Sequence, residues 1–439
     1  MTSEWKTTCL GDHLSIKHGY AFEGEYFKDE PPGDILLTPG NFKIGGGFKH
    51  DSRKFYEGPV EGDYVLSPGD IIVTMTDLSK ETKTLGYPAI VPKSDSAQYL
   101  HNQRLGLVQI ESDEIDRRFL FYLMRSQSYR NEILAGATGT TVKHTAPERI
   151  EKFEFDLPPI EYQRQVGNIL GTLDDKIDLN RKMNRTLEAM ARAIFKSWFV
   201  DFDPVRAKMA GEEPTGVDPE TAELFPDRLV DSELGQIPEG WEVQQIGEVV
   251  KTYGGGTPRT KNPEYWENPK HYWATPKDLS GQEMPILLDT DRKISDAGRE
   301  KVTNGERPVG TLLMSKRAPI GYLAIARVPT SINQGFIAME FDGPVSKYFM
   351  LNWLDSNMDL VKSRANGSTF KEISQRDFKS IELVLPPERV IRQFDELVGP
   401  FYEKIEQNMQ ESGVLENLRD VLLPELLSGE SLDALDSTA

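Results

Sequence analysis

The stretch that most constrains this chain is a long amphipathic segment that occurs twice. No proline interrupts residues 160–196. Val166, Leu170, Leu173, Ile177, Asn180, Asn184, Leu187, Ala191 and Ile194 follow one another in alternating steps of four and three. That is the a/d spacing of a coiled-coil seam, and it predicts one helix roughly 55 Å long at 1.5 Å per residue. Gly167 and Gly171 should weaken its first turns by about 1 kcal/mol each relative to alanine.

A shift of 228 positions brings a second copy into register. It takes Leu157-Pro158-Pro159 to Leu385-Pro386-Pro387, and Gly139, Thr141 and Lys143 to Gly367, Thr369 and Lys371. The seam follows: Val166 maps to Phe394, Leu170 to Val398, Leu173 to Phe401, Ile177 to Ile405, Asn180 to Asn408 and Leu187 to Leu415. No gap is needed across residues 139–188, and 15 of those 50 positions are identical. Two unrelated amphipathic helices could share a seam, but not the upstream glycine loop and the Leu-Pro-Pro at one offset, so the chain is read as an internal duplication. A narrow apolar seam needs a partner, and the duplicated copy supplies one. Antiparallel, pseudo-twofold pairing would bring Asn180 and Asn408 near the seam centre, where a polar residue fixes register at some cost in stability. Pro400 lies inside the second copy and should kink or restart that helix.

The repeat predicts an α+β fold: two globular domains joined by two long helices packed as an antiparallel coiled coil. The expected boundaries are 1–157 for the first domain, 158–202 for the central helix and 203–240 for an acidic linker. The second domain then covers 241–385, the distal helix 386–428 and an acidic tail 429–439. In the first domain, 5–17 reads as an edge segment, and 34–38, 69–74 and 87–91 as short strands between turns. Residues 117–134 read as a helix, 136–143 as a Gly/Thr loop and 150–157 as a strand. The second domain repeats this order at offsets drifting from 228 to 241. The proline, glycine and acid of 203–240 suggest a linker lying on a surface rather than a core.

At 439 residues the chain should hold more than one domain. Its single cysteine, Cys9, excludes a disulfide framework and a thiolate zinc site and fits a reducing compartment. There is no apolar signal core and no window of about 18 apolar residues, so a cytoplasmic location without membrane contact is expected. The net charge of −19 speaks against nucleic acid at first sight. That charge is uneven, since residues 211–240 and 425–439 together carry −12 of it. Asn262-Pro263-Glu264-Tyr265 is similar to an amino-methyltransferase motif, but Glu264 stands where that motif has proline, and no glycine-rich cofactor loop precedes it. The glycine runs at 45–47 and 254–256 lack the Gly-Lys-Ser/Thr continuation of a phosphate-binding loop and read as turns. The six histidines show no metal spacing. No catalytic, metal or cofactor site is expected in this chain.

The positive signals are basic and amide residues in paired loops. The first domain offers Lys80 and Lys83, then Asn102, Gln103 and Arg104, then Thr140, Thr141, Lys143 and His144. The second offers Arg259, Lys261 and Lys277, then Lys316 and Arg317, Asn333 and Gln334, and finally Ser368, Thr369 and Lys371. Arginine and lysine suit guanine edges and phosphates, asparagine and glutamine suit adenine, and hydroxyls beside Gly139 and Gly367 suit phosphate oxygens. Asn102 and Asn333 fit turn or strand-end positions equally well.

The order of variable unit, Leu-Pro-Pro helix, variable unit and Leu-Pro-Pro helix resembles the specificity subunit of a type I restriction-modification system. So does the string Phe195-Lys196-Ser197-Trp198-Phe199-Val200-Asp201-Phe202-Asp203-Pro204-Val205. The resemblance covers essentially the whole chain. It implies that each variable unit is a target-recognition domain reading half of a bipartite double-stranded DNA site. It also implies that the helix pair acts as a ruler and binds two modification subunits. S-adenosylmethionine would reside in those modification subunits, and ATP and Mg in partner restriction subunits. A non-catalytic coiled-coil adaptor whose two units bind proteins is the alternative, favoured by the acidic charge. If the helices are a ruler, deleting residues 180–186 together with 408–414 keeps the seam pattern and shortens the rod by about 10 Å. The spacer preferred in methylation of a variable-spacer library should then shrink by roughly three base pairs; an unchanged spacer would rule the ruler out.

Overall fold

The computed structural model describes residues 5–50, 54–79, 81–94, 97–367 and 371–429. Two compact units emerge: residues up to 178 with those from 412 onward, and residues 179–411. Each therefore contains a globular part and one half of each long helix.

The first unit is closed by Lys6–Cys9 pairing antiparallel with Glu154–Leu157, Lys6 opposite Leu157. Behind this clasp lies a four-stranded antiparallel sheet in the order Leu14–His18, Leu105–Ile110, Ile71–Thr74, Pro88–Ile90. Ile71–Thr74 is buried along its whole length, as its continuous apolar run requires. A second sheet contains Asp34–Leu37 and Tyr99–His101 as a parallel pair, with Val65–Leu66 antiparallel beside the latter.

The second unit repeats the core of this plan. Glu242–Gln245 pairs with Glu382–Leu385, Glu242 opposite Leu385. Lys251–Tyr253, Phe336–Glu340, Leu312–Lys316 and Ile320–Ala326 pair antiparallel in that order, and Ile286–Leu287 adds a parallel strand beside the last. His271–Ala274 and Thr330–Ile332 form the parallel pair, and Glu306–Arg307 is the antiparallel neighbour. The duplication seen in sequence thus reaches well upstream of the 50 aligned positions.

Several expectations need correction. The helix expected over 117–134 is two helices, Arg117–Leu123 and Gln127–Ala135, because Ser126 caps a new one by accepting from the Tyr129 backbone N–H. Its counterpart likewise divides into Lys347–Ser356 and Met358–Ser363. The expected strand at 150–157 is a helical turn, Pro147–Glu151, followed by the shorter strand Glu154–Leu157. Residues 203–240 are not a bare surface linker. They form the helices Asp203–Met209 and Pro219–Glu223 and the hairpin Leu229–Ser232/Gly235–Pro238. Val205, Phe225 and Ile237 are buried in the second unit's core, and the Trp198 and Phe225 rings meet at 5.2 Å. Sparse apolar residues among many acids suffice, because Val205, Phe225 and Ile237 turn inward.

The long helices are Ile160–Phe199 and Glu388–Ser428. The second continues through Pro400 without the expected restart. An interior proline forfeits one helical hydrogen bond and crowds the carbonyl four residues back, and it also crowds the Cβ of a helical residue before it; here that residue is Gly399, which has no Cβ, so only this last clash is relieved. A Cβ at 399 would meet only Tyr348 Cε2, at 3.5 Å, so packing does not explain that glycine. Gly167 and Gly171 have a different cause: a Cβ at 167 would lie 2.8 Å from Arg118 Cβ, where helix Arg117–Leu123 crosses closely.

The predicted seam faces inward. Val166, Leu170, Ile177, Asn180, Phe394, Val398, Ile405 and Asn408 are buried, and Leu173, Leu187, Phe401 and Leu415 are half-buried. Within each unit the helix halves run antiparallel. In the first, the Tyr162 hydroxyl donates to the Leu426 carbonyl at 2.8 Å, and Arg419 Nη1 donates to Asp174 Oδ1 at 2.7 Å. In the second, Asn180 Nδ2 donates to Glu411 Oε2 at 2.8 Å, and Asn408 Nδ2 donates to Asn184 Oδ1 at 2.8 Å. The polar seam residues are thus bonded across the pair, as register control requires.

Polar contacts also seat the globular parts on these helix halves. Asp174 accepts from the Tyr122 hydroxyl and from Arg125 Nη1, each at 2.8 Å. Burial pushes its carboxyl upward, but the Arg125 and Arg419 guanidinium groups and the Tyr122 hydroxyl outweigh it and hold it below the ordinary value. In the second unit the Ser346 hydroxyl donates to Asp395 Oδ1 at 2.6 Å. There burial dominates and pushes Asp395 up to about 6. A folded-state pKa raised above the unfolded one adds stability at low pH that is lost as pH rises through about 6. Asp395→Asn should therefore stabilise the second unit at pH 7–8 by on the order of 2 kcal/mol once partial exposure is discounted, and raise its melting temperature accordingly. It should also flatten the stability–pH curve of the second unit between about pH 4 and 7. Thermal melts across that range provide the check.

Candidate nucleic-acid interface

In each unit one residue at the end of a buried strand ties three loops together through its backbone. In the first it is Met75, whose N–H donates to the Arg104 carbonyl at 2.9 Å while its carbonyl accepts from the Thr145 N–H at 3.0 Å. In the second it is Lys316, whose N–H donates to the Gly335 carbonyl at 2.8 Å while its carbonyl accepts from the Ile373 N–H at 3.1 Å. The loops joined are those after Ile71–Thr74 and Leu312–Lys316, the turns at 102–104 and 333–335, and the hairpin tips at 138–144 and 366–372. Both tips are closed six residues apart, by Thr138 with His144 and by Asn366 with Glu372. Gly139 and Gly367 adopt φ of +95° and +114° in them, the left-handed region that favours glycine. A Cβ at 139 would lie 2.0 Å from the Val142 carbonyl oxygen.

A fourth segment abuts each turn. A Cβ at Gly19 would lie 2.1 Å from the Asn102 carbonyl oxygen, and one at Gly255 would lie 2.0 Å from that of Ile332. The glycine run at 254–256 is therefore a close backbone crossing. Its arm continues to Arg259 and Lys261 and is pinned by two indoles. Trp273 Nε1 donates to the Gly256 carbonyl at 3.1 Å, and Trp266 Nε1 donates to the Arg259 carbonyl at 3.2 Å. The Arg292 guanidinium lies 3.7 Å over the Trp266 ring.

Residues 2–189 and 238–398 match the family described as type I restriction modification DNA specificity domain. The chain belongs to that family. The HindI type I restriction enzyme specificity subunit of Haemophilus influenzae is 25% identical over 473 residues, spanning 98% of this chain and 100% of that protein. The MjaIX specificity subunit of Methanocaldococcus jannaschii is 26% identical over 332 residues, spanning 73% and 70%. Among solved structures, the S subunit of a type I restriction-modification system from M. genitalium is similar in fold, with a TM-score of 0.56 at 17% identity over 96% of both chains.

In this specificity-family fold the junction gathers the candidates Gln103, Arg104, Thr140, Thr141, Lys143 and His144 in the first unit. Lys316, Arg317, Gln334 and Lys371 gather in the second. Gln103, Arg104, Thr140, Thr141, His144, Gln334 and Lys371 are exposed. Asn102 and Asn333 take the turn role: their Oδ1 atoms accept from the N–H of Arg104 at 3.0 Å and of Gly335 at 2.8 Å. Beneath the first turn, His101 is buried with its Nε2 2.9 Å from the Leu105 carbonyl. Burial holds that imidazole down at about 4, so it is neutral at physiological pH and serves as packing. Lys83 is paired with Glu81. Lys277 is paired with Asp291 at 3.0 Å, which raises its pKa. Lys80, Ser368 and Thr369 lie outside the described residues. Among the described residues no group of three or more His, Cys, Asp or Glu could hold a metal, and no helix is long and apolar enough to cross a membrane.

Two acidic residues escaped the sequence reading. Asp77, buried, accepts from the Ser79 N–H and hydroxyl, both at 2.6 Å, the Thr84 N–H at 2.5 Å, its hydroxyl at 2.8 Å, and the Leu85 N–H at 3.1 Å. Burial opposes its charge, but these donors hold its pKa below the ordinary value. Asp77 thereby shapes the loop carrying Lys83. The available signal was an aspartate followed at two and seven positions by Ser79 and Thr84. Glu372, the other residue, sits between Lys316 and Arg317. Asp77→Ala should leave three amides without their acceptor and cost the first unit on the order of 3 kcal/mol. Hydrogen exchange should accelerate at Ser79, Thr84 and Leu85 and leave the second unit's protection unchanged.

Proposed function

We infer that this chain is the non-catalytic specificity subunit of a type I restriction-modification complex, binding a bipartite double-stranded DNA site with one unit on each half. The observation that carries the reading is the three-loop junction: the same backbone framework occurs in both units while the side chains it presents differ. Different side chains on one frame suit reading two different half-sites. Gln103, Arg104, Thr140, Thr141, Lys143 and His144 would face the first half-site, and Arg259, Lys261, Lys316, Arg317, Gln334 and Lys371 the second. Two modification subunits would carry S-adenosylmethionine and flip the target adenine out of the stack, since chemistry on a base requires it. Restriction subunits with ATP and Mg would complete the assembly, in the cytoplasm.

The charge of −19 makes a specific demand. The pairing of Lys277 with Asp291, and of Lys316 and Arg317 with Glu372, reduces the positive charge these loops present to phosphates. The modification subunits must therefore supply most of the electrostatic affinity. The purified chain alone should bind DNA weakly. Addition of modification subunits should restore tight binding with log K falling steeply against log salt. Tight, sequence-specific binding by the isolated chain would contradict this division of labour.

A further inference from the structure

Glu372 is an acidic residue in the middle of the second unit's basic loops. Its backbone is fixed on two sides: it closes the hairpin tip with Asn366, through N–H···O contacts of 3.0 and 2.9 Å, and it forms an antiparallel bridge with Arg317. Its Oε1 lies 2.7 Å from Lys316 Nζ, while its Oε2 is 3.7 Å from Arg317 Nη1. The first contact is a close ion pair, and the second is longer and beyond hydrogen-bond length. Oε2 thus keeps an accepting direction, and the side chain is 40% exposed. Glu372 also lines an open cleft of about 270 Å³ with Gly254, Gly255, Lys316, Gln334 and Gln375.

A carboxylate placed where a phosphate backbone must approach repels every DNA sequence equally. Two cations, Lys316 and Arg317, offset that repulsion and hold the carboxylate in place. What remains is a rigid acceptor-only group. On base edges in the major groove the amino donors are adenine N6 and cytosine N4, and a glutamate is suited to accept from such a group. The repeat counterpart is instructive. His144 occupies the same place in the first unit's tip, with its Nδ1 3.1 Å from Thr76 Oγ1. The framework is retained and the chemistry at this one position is exchanged, as expected of a residue that discriminates between half-sites.

We propose that Glu372 is a specificity-determining residue that reads the exocyclic amino group of one base, adenine N6 or cytosine N4, in the second half-site. The proposal rests on the chain's role as a DNA specificity subunit. It is tested with the full chain assembled with its modification subunits, by methylation of a library of randomised bipartite duplexes followed by sequencing. The wild-type complex must first return a bipartite site; if it returns none, both the functional reading and this inference fall. E372A should tighten binding to all duplexes while relaxing preference at a single base pair of the second half by about tenfold or more, with the first half unchanged. The identity of that base pair tells which amine was read. K316A breaks the same ion pair from the cationic side; it should weaken binding to all duplexes and relax the preference less than E372A does, because Arg317 and the backbone bridges still hold residue 372. Should E372A fail to assemble, E372Q, which adds a donor, must shift preference at one pair of the second half. E372A binding more tightly with its preference intact would show a counter-ion only and overturn the inference. Equal relaxation by K316A, or an unchanged preference in E372Q, would overturn it too.

Discussion

The one-sided seam of the two long helices is the constraint on which the rest of the structure depends. A stripe of Val166, Leu170 and Ile177 cannot remain in water, and within the first unit the C-terminal part of the distal helix, with Leu426 buried, packs in one core with Val166 and Leu170. In the second unit Phe394, Val398 and Ile405 join a core that also holds Ala191 and Phe195. The seam is therefore more than a coiled-coil stripe, because its outer residues also belong to the globular cores. Gly167 makes that possible by admitting a crossing helix where a Cβ would collide with Arg118, and Gly171 leaves room for the same arginine's guanidinium. Asp174 and Asp395 then seat the crossing helices by opposite electrostatics, one carboxylate held ionised by two guanidinium groups and the other pushed toward neutrality by burial.

The interface obeys a second rule, that its framework is made by backbone. Met75 and Lys316 hold the same three loops through the same N–H and carbonyl bonds, although one side chain is a buried thioether and the other a half-buried cation. Backbone bonds do not depend on side-chain identity. A unit can thus exchange the residues it presents without moving the loops that present them, and the contrast between His144 and Glu372 is one instance. Membership of the type I restriction modification DNA specificity domain family fits a fold whose invariant part is framework.

What was legible in the sequence was what local periodicity or the repeat carries. The seam from Val166 to Leu187, the strands at Asp34–Leu37 and Ile71–Thr74, and the pairing of Gly139 with Gly367 all follow from spacing and offset. What was not legible depended on partners distant in sequence. A serine inside an apolar helical run gave no warning that Ser126 would start a new helix. Pro400 argued for a break, yet the helix runs on through it, with Gly399 relieving one of the proline's clashes. The composition of 203–240 concealed the inward turns of Val205, Phe225 and Ile237. The search for cations and amides picked out the loops that the Met75 and Lys316 backbones join. It passed over Asp77 and Glu372, because an acid is a poor sign of DNA contact until its neighbours are known. The amides of Asn102 and Asn333 proved to be turn-formers, a role that sequence alone left level with base contact.

The central claim is that each unit reads its own half-site independently. It is tested most directly by mapping methylated sites in cells that express this chain with its modification subunit, before and after residues 241–384 are replaced by the matching segment of a relative. The account predicts that one half of the methylated bipartite site changes and the other half stays as it was. A change in both halves, or in neither, would contradict it.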